Sequence, residues 1–157
     1  MPIIQDKKTR KKLLGMLEEA YWMEIETVMN YISSSVNLDG VLAEEIKKSL
    51  AADITAEIGH AQQFARRIKT LSGVVPGSMG FQARQKMLQP PAKTTDVVSV
   101  IKGVIDAELA AIQHYNKLIK ACDGVDYVTQ DLAITILTDE QDHLREFEGF
   151  LKEYEDL

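Results

Sequence analysis

The sequence predicts an all-α protein, a four-helix bundle with one long crossover between its second and third helices. Three observations carry that prediction. All four prolines, Pro2, Pro76, Pro90 and Pro91, fall near the N-terminus or inside one segment, so long stretches are free of the strongest helix breaker. Those stretches carry apolar residues at three- and four-residue steps. Short turn signals divide each half of the chain, whereas more than 20 residues, GVVPGSMGFQARQKMLQPPAKT, separate the halves.

The first helix is expected over about residues 6–35, with Leu14, Leu17, Tyr21, Val28 and Tyr31 as its inward stripe. SVNLDG then turns the chain. Asp39 is the expected cap of a second helix over about 39–71, where Arg66, Arg67 and Lys69 suit the C-terminal dipole and Gly73 the terminus. A third helix is expected over about 96–122 behind a Thr95 cap, and after Asp123 and Gly124 a fourth over about 126–154. Short connections make each half an antiparallel hairpin. Helices of this length measure roughly 45 Å, and the long segment can extend to about 70 Å. It therefore spans the whole bundle, with a helical turn expected in SMGFQARQKM.

Composition narrows the function. A chain of 157 residues with 45% hydrophobic content fits one domain over 1–157. The net charge of −6 offers no basic face for nucleic acid. No apolar run reaches the ~18 residues of a membrane span, and no signal-peptide core opens the chain, so a cytoplasmic location is expected. Cys122 is the single cysteine, which excludes an internal disulfide and a Cys-x-x-Cys metal knuckle. The basic run Lys7, Lys8, Arg10, Lys11 and Lys12 reads as a solvated helix start.

The strongest signal is an ordered set of residues that occurs twice. Glu24, Tyr31, Glu57 and His60 stand in the first half; Glu108, Tyr115, Glu140 and His143 stand in the second, and a phenylalanine follows each histidine by four. Every one of these glutamates sits near the middle of its expected helix. Side-by-side packing therefore brings four carboxylates to one depth, and residues three apart on a helix share a face, which adds both histidines. Unpaired buried carboxylates cost several kcal/mol each. No lysine or arginine occupies the matching central positions, so two divalent cations are the natural partners, +4 against −4 with neutral imidazoles. Carboxylate with imidazole suits iron or manganese, with zinc also able to occupy such a site. One Glu-x-x-His is a weak motif, but two of the three histidines carry it. The competing reading is surface glutamates beside satisfied histidines.

With these residues in place the chain resembles the ferritin-like di-iron carboxylate proteins, in which two helices give one Glu each and two give Glu-x-x-His. It is most similar to the bacterioferritins, densely so in DYVTQDLAITILTDEQDH. The resemblance implies a ferritin-like bundle whose ferroxidase ligands are Glu24, Glu57, His60, Glu108, Glu140 and His143. Glu57 and Glu140 would each take one ion with their histidine, and Glu24 and Glu108 would bridge or complete the pair. Tyr31 would hydrogen-bond a ligand or donate an electron. The implied activity is oxidation of two Fe²⁺ per chain by O₂ or H₂O₂ for iron storage and detoxification. The resemblance does not extend to haem, because Ile58 stands where bacterioferritins carry the haem methionine. Nor does it extend to the short fifth helix of family shells, since only 14 residues follow His143.

Two other functions fit the same residues. One is a rubrerythrin-like di-iron peroxidase or oxidase, which would need an external reductant because one cysteine cannot build a rubredoxin centre. The other is a helical scaffold with a structural metal. Trp22, Ile25, Met29 and Ile32 form a second apolar stripe on the first helix and predict a homo-oligomer with a dimer contact there. His114 is expected to be a packed or surface histidine, Tyr115 a core residue, and Cys122 a small residue buried or at a helix end. Gly59 is costly inside a helix by about 1 kcal/mol; close approach of a neighbouring helix or the metal site would account for it.

Overall fold

The computed structural model describes residues 1–157 and contains four α-helices: α1 (Lys7–Asn37), α2 (Glu44–Thr70), α3 (Val97–Cys122) and α4 (Tyr127–Glu155). There are no strands. α1 pairs with α2 and α3 with α4 through short turns, and the crossover between Thr70 and Val97 carries a single 3₁₀ turn, Ser78–Gly80. That turn lies inside the stretch expected to hold one. No helix is long and apolar enough to cross a membrane.

Three helices start on an aspartate whose carboxylate accepts an otherwise orphaned backbone N–H. Asp6 accepts from Thr9, Asp96 from Ser99 and Asp126 from Thr129. The third helix is thus capped by Asp96, one residue after the expected Thr95. Asp39 does not cap the second helix. The chain passes Gly40 at φ 99° and enters α2 through a 3₁₀ turn, Val41–Ala43, with Glu44 and Glu45 set against the positive end of the helix dipole. Asp39 instead donates its backbone N–H to the carbonyl of Thr94 at 3.0 Å, tying the first turn to the end of the crossover.

The end of α2 also departs from expectation. Ser72, not Gly73, takes the left-handed conformation (φ 67°). Its N–H bonds to Lys69 and that of Gly73 to Ile68, the paired bonds of a Schellman cap. Space is tight at Gly73: a Cβ there would lie 2.6 Å from Leu14 Cδ2 and 3.1 Å from the Ile68 carbonyl oxygen, so the Leu14 side chain would have to shift.

The buried face of α1 runs through Leu13, Leu17, Ala20, Glu24, Thr27, Tyr31 and Ser34. Leu14, Tyr21 and Val28 are only half-buried, so the inward stripe is rotated from the expected one, because small and polar residues share the seam. The core divides into two apolar blocks. One contains Leu13, Leu17, Phe64, Tyr115, Leu118 and Ile136; the other contains Tyr31, Leu50, Ile101, Val104 and Phe147. Each fully buried phenylalanine contributes roughly 1.5–3 kcal/mol. Phe64 and Phe147 fall in different blocks, as an approximate twofold relation between the hairpins requires. Between the blocks lies a polar layer.

Candidate metal centre

That layer is built by the middle turns of all four helices. Glu24, Glu57, Glu108 and Glu140 are each 1–2% exposed, His60 is 3% exposed and His143 is half-buried. The structure thus brings together all six of the residues singled out by spacing. They form two overlapping groups, Glu24, Glu57, His60 and Glu140, and Glu57, Glu108, Glu140 and His143, with ligand atoms within 4.8 Å of one another in each. Oxygen or nitrogen ligands about 2.0–2.2 Å from one ion stand as much as about 4.4 Å apart, so the atoms are already near a common centre.

Glu57 and Glu140 belong to both groups. Glu24 and Glu108 belong to one each. This reverses the expected sharing: the glutamates of the two Glu-x-x-His motifs lie between the two positions, and the lone glutamates close the ends. Each group draws three residues from one hairpin and the fourth from the other.

The site's own atoms test whether a cation fits. Nδ1 of His60 lies 2.9 Å from Glu140 and 3.6 Å from both Glu24 and Glu57, and Nδ1 of His143 lies 3.2 Å from Glu57. None of these approaches has hydrogen-bond geometry. Glu24 Oε2, Glu57 Oε1, His60 Nδ1, Glu108 Oε2, Glu140 Oε1 and His143 Nδ1 are all buried without a hydrogen-bond partner. Buried polar atoms are nearly always paired, yet here each of the six residues leaves one such atom unpaired and turned to the same two points. Carboxylate and imidazole donors in this arrangement suit a divalent transition metal.

Without a cation the layer balances its charge with protons. Burial, and then the neighbouring carboxylates of Glu57 and Glu140, push Glu24 well above the usual carboxylate range. Burial and the adjacent Glu140 do the same for Glu108. Burial alone would lower both histidines. The surrounding carboxylates outweigh it, Glu140 foremost, raising His60 well above its ordinary value and His143 to about 10. Glu140 moves the other way: burial would raise it, but Glu108 and the two imidazoles hold it below the usual range.

A second ring of groups orients the first. Tyr31 on α1 donates its hydroxyl to Glu108 on α3 at 2.7 Å, and Tyr115 on α3 donates to Glu24 on α1. Tyr115 is therefore a partner of the site as well as a core residue. Outside the imidazoles, Asp139 lies 2.8 Å from His60 Nε2 and Asp53 lies 3.4 Å from His143 Nε2. Burial raises Asp53 to about 6 despite the pull of His143. Carboxylates in this position fix the tautomer that frees Nδ1 for a metal. Sequence reasoning did not find Asp53 or Asp139, which precede Glu57 by four residues and Glu140 by one and so share no common spacing.

The other candidates stand apart from the layer. His114 is buried with Nε2 2.8 Å from the Met16 carbonyl. Cys122 is buried at the end of α3. Gly59 has no neighbour within 4 Å of a Cβ built on it, so neither helix approach nor the metal layer accounts for that glycine.

The chain is similar to known proteins over most of its length. The profile of the Ferritin-like domain matches residues 14–157. Bacterioferritin from Desulfovibrio desulfuricans is 29% identical over 146 residues, which cover 92% of this chain and 76% of that protein. The X-ray structure of D. desulfuricans bacterioferritin, whose diiron site was seen in different catalytic states, superposes with a TM-score of 0.81 at 26% identity, covering 96% of this chain and 84% of that one. A dodecameric thioferritin from Bacteroides fragilis shares the fold with a TM-score of 0.80 at 24% identity, covering 94% and 88% of the two chains.

Proposed function

The chain belongs to the ferritin-like family, and from that premise we propose that it is a di-iron ferroxidase, oxidising two Fe²⁺ per chain with O₂ or H₂O₂ in iron storage or detoxification. The observation that carries this reading is the set of six unpaired buried atoms, one from each of Glu24, Glu57, His60, Glu108, Glu140 and His143. Fe²⁺ is the substrate, and manganese or zinc are alternative occupants of the same donors. A pair of ions bound there would supply Lewis acidity and two electrons to the oxidant.

The chain's own residues prepare that chemistry. Glu57 and Glu140, which belong to both groups, would hold an ion at either position. Glu24 with His60 and Glu108 with His143 complete the ends. Tyr31 and Tyr115 fix the free rotation of Glu108 and Glu24, and Asp139 and Asp53 hold the imidazoles with Nδ1 inward. Loading displaces the protons that the carboxylates and imidazoles carry in the metal-free layer, so binding releases protons. The apolar blocks on either side exclude water, which strengthens every charge interaction between them. Tyr31, buried and bonded to Glu108, is also placed to donate an electron.

The domain is read as a single unit over 1–157, located in the cytoplasm and assembled as a homo-oligomer. The dodecameric relative supports assembly, and Met29 and Ile32, about half exposed on α1, support a dimer contact on that helix. Haem is not part of the proposal, since Ile58 stands 41% exposed where the family's methionine would be.

The test is an anaerobic Fe²⁺ titration of metal-free protein, followed by air and by sizing of the product. Saturation at two irons per chain with rapid oxidation is expected, and Glu57→Ala with Glu140→Ala should abolish it. Unchanged oxidation kinetics in that double variant would overturn the assignment. Further iron retained in a large hollow particle would mark storage; none retained, with H₂O₂ turned over by a reductant, would replace storage with a peroxidase role.

A further inference from the structure

The route by which a cation reaches the buried layer is marked by one residue of the crossover. Between α1, α3 and the crossover lies an open groove of about 570 Å³, whose lining carries Glu18, Glu19, Glu26 and Asp106 against Arg84 and Lys117. Below it a much smaller cavity, about 10 Å³, touches Glu24, Glu57, Glu108 and Glu140 directly. Three residues line both spaces: Met23, Ala107 and Gln85. Two of these are apolar. Gln85 is the one polar group in the partition between the groove and the unpaired oxygens of Glu24 and Glu108.

Gln85 is held in place twice over. Its backbone N–H, together with that of Arg84, donates to the buried carboxylate of Glu26 at 2.9–3.0 Å, which pins the crossover to α1. Its side-chain amide donates to Thr27 Oγ1 at 2.7 Å and accepts from Asn30 Nδ2 at 2.8 Å, one and nearly two turns beyond Glu24. The backbone anchor and the side-chain bonds are independent. The amide can therefore break both of its bonds and turn aside while the segment that carries it stays docked. At the matching place on α3, three residues after Glu108, stands Ala111, which lines the same small cavity and offers no polar side chain.

On the proposed reading of the metal centre, we propose that Gln85 is the gate on cation passage. A divalent cation enters from the acidic groove only when the Gln85 amide leaves Thr27 and Asn30. Gln85 is a positioning residue: it sets the rate at which the centre loads without holding the ion at equilibrium. Glu26 keeps the gate over the opening by fixing its backbone.

The test uses Co²⁺ and the full-length metal-free protein, so that loading is read from ligand-field absorption without any redox step. In stopped flow, Gln85→Ala should raise the association rate about tenfold, the order expected when the net contribution of two side-chain hydrogen bonds is removed. The equilibrium dissociation constant should not change, because release accelerates equally. Gln82→Ala, on the exposed rim of the same groove, should leave both quantities at the wild-type value. An unchanged association rate in Gln85→Ala would overturn the gate, as would an equal acceleration in Gln82→Ala or a weaker equilibrium affinity without faster loading. The underlying reading fails separately: Co²⁺ absorption retained in the Glu57→Ala, Glu140→Ala double variant would place the ion elsewhere.

Discussion

Asp139 gives the sharpest test of how the outer carboxylates act. Its Oδ2 lies 2.8 Å from His60 Nε2, within the range of a charge-assisted hydrogen bond, while the corresponding Asp53 to His143 separation is 3.4 Å. A proton held on Nε2 leaves the Nδ1 lone pair free, and that is the atom facing Glu24, Glu57 and Glu140. Replacing Asp139 by asparagine keeps an acceptor but removes the charge that makes the imidazole a better donor. Loss of such a partner weakens metal binding by 10- to 100-fold in general, about 1.4–2.8 kcal/mol. Because the Asp139 side chain is 50% exposed, water takes over part of its role, and the effect is expected near the tenfold end. The affected position is the one that includes His60. A stepwise Co²⁺ titration followed by absorption should show one of the two binding steps weakened and the other unmoved. Equal weakening of both steps, or of neither, would refute the claim that Asp139 acts through His60 alone.

Four stability predictions concern Asp126, Gly103 and Gly59. Arg67 donates to both oxygens of Asp126 at 2.9 and 3.0 Å and to Thr129 at 2.7 Å, with little of either charged side chain exposed. Asp126→Ala strands that guanidinium and removes the α4 cap, so a loss of about 3–5 kcal/mol is expected by denaturant unfolding; adding Arg67→Met should restore part of it. Burial would raise the Asp126 carboxyl, but the bonds from Thr129 and Arg67 hold it below its ordinary 3.8. Its contribution is therefore complete above that value and is lost as the pH falls below it, and Asp126→Asn should flatten the acid limb of a stability profile. Gly103→Ala would set a Cβ 2.6 Å from the Met87 carbonyl oxygen and 2.9 Å from Leu88 Cα. Backbone has to move, so a loss of about 1–3 kcal/mol is expected in thermal unfolding, whereas Gly59→Ala, with open space around it, should gain about 1 kcal/mol.

The sequence disclosed those features that depend on position along a helix. Proline placement and apolar spacing marked four helices, and equal distance from the helix ends put Glu24, Glu57, Glu108 and Glu140 at one level before any packing was known. What spacing could not disclose was rotation and pairing across helices. Which glutamates face both metal positions depends on how far each helix turns about its axis. Helical pattern leaves that angle uncertain when small residues such as Ala20 and Thr27 share the seam with leucines. Asp139 and His60 are 79 residues apart in the chain, and nothing local distinguishes Asp139 from its exposed neighbours. Gln85 and Glu26 meet only because the crossover packs on α1, and irregular segments carry no periodicity from which such a contact could be read. Asp39 was expected to cap α2 because short polar residues before a helix commonly do; the 3₁₀ turn intervened.

The exchange of one glutamate between the hairpins has a consequence for assembly of the chain itself. Each hairpin closes over a short turn whereas docking closes the long crossover, so loop-closure entropy predicts that the hairpins form before they dock. In the metal-free chain that docking step buries four carboxylates and two imidazoles together and is accompanied by proton uptake. Neither half alone offers a complete set of four donors, because Glu140 finishes the group centred on His60 and Glu57 finishes the one centred on His143. An ion bound to either group therefore rivets one hairpin to the other and binds the docked state only. At a free concentration of one hundred times its dissociation constant, each ion adds about 2.7 kcal/mol to docking by mass action. On the proposed reading, a bound ion would add to the docking that the two apolar blocks, each built from both hairpins, already provide.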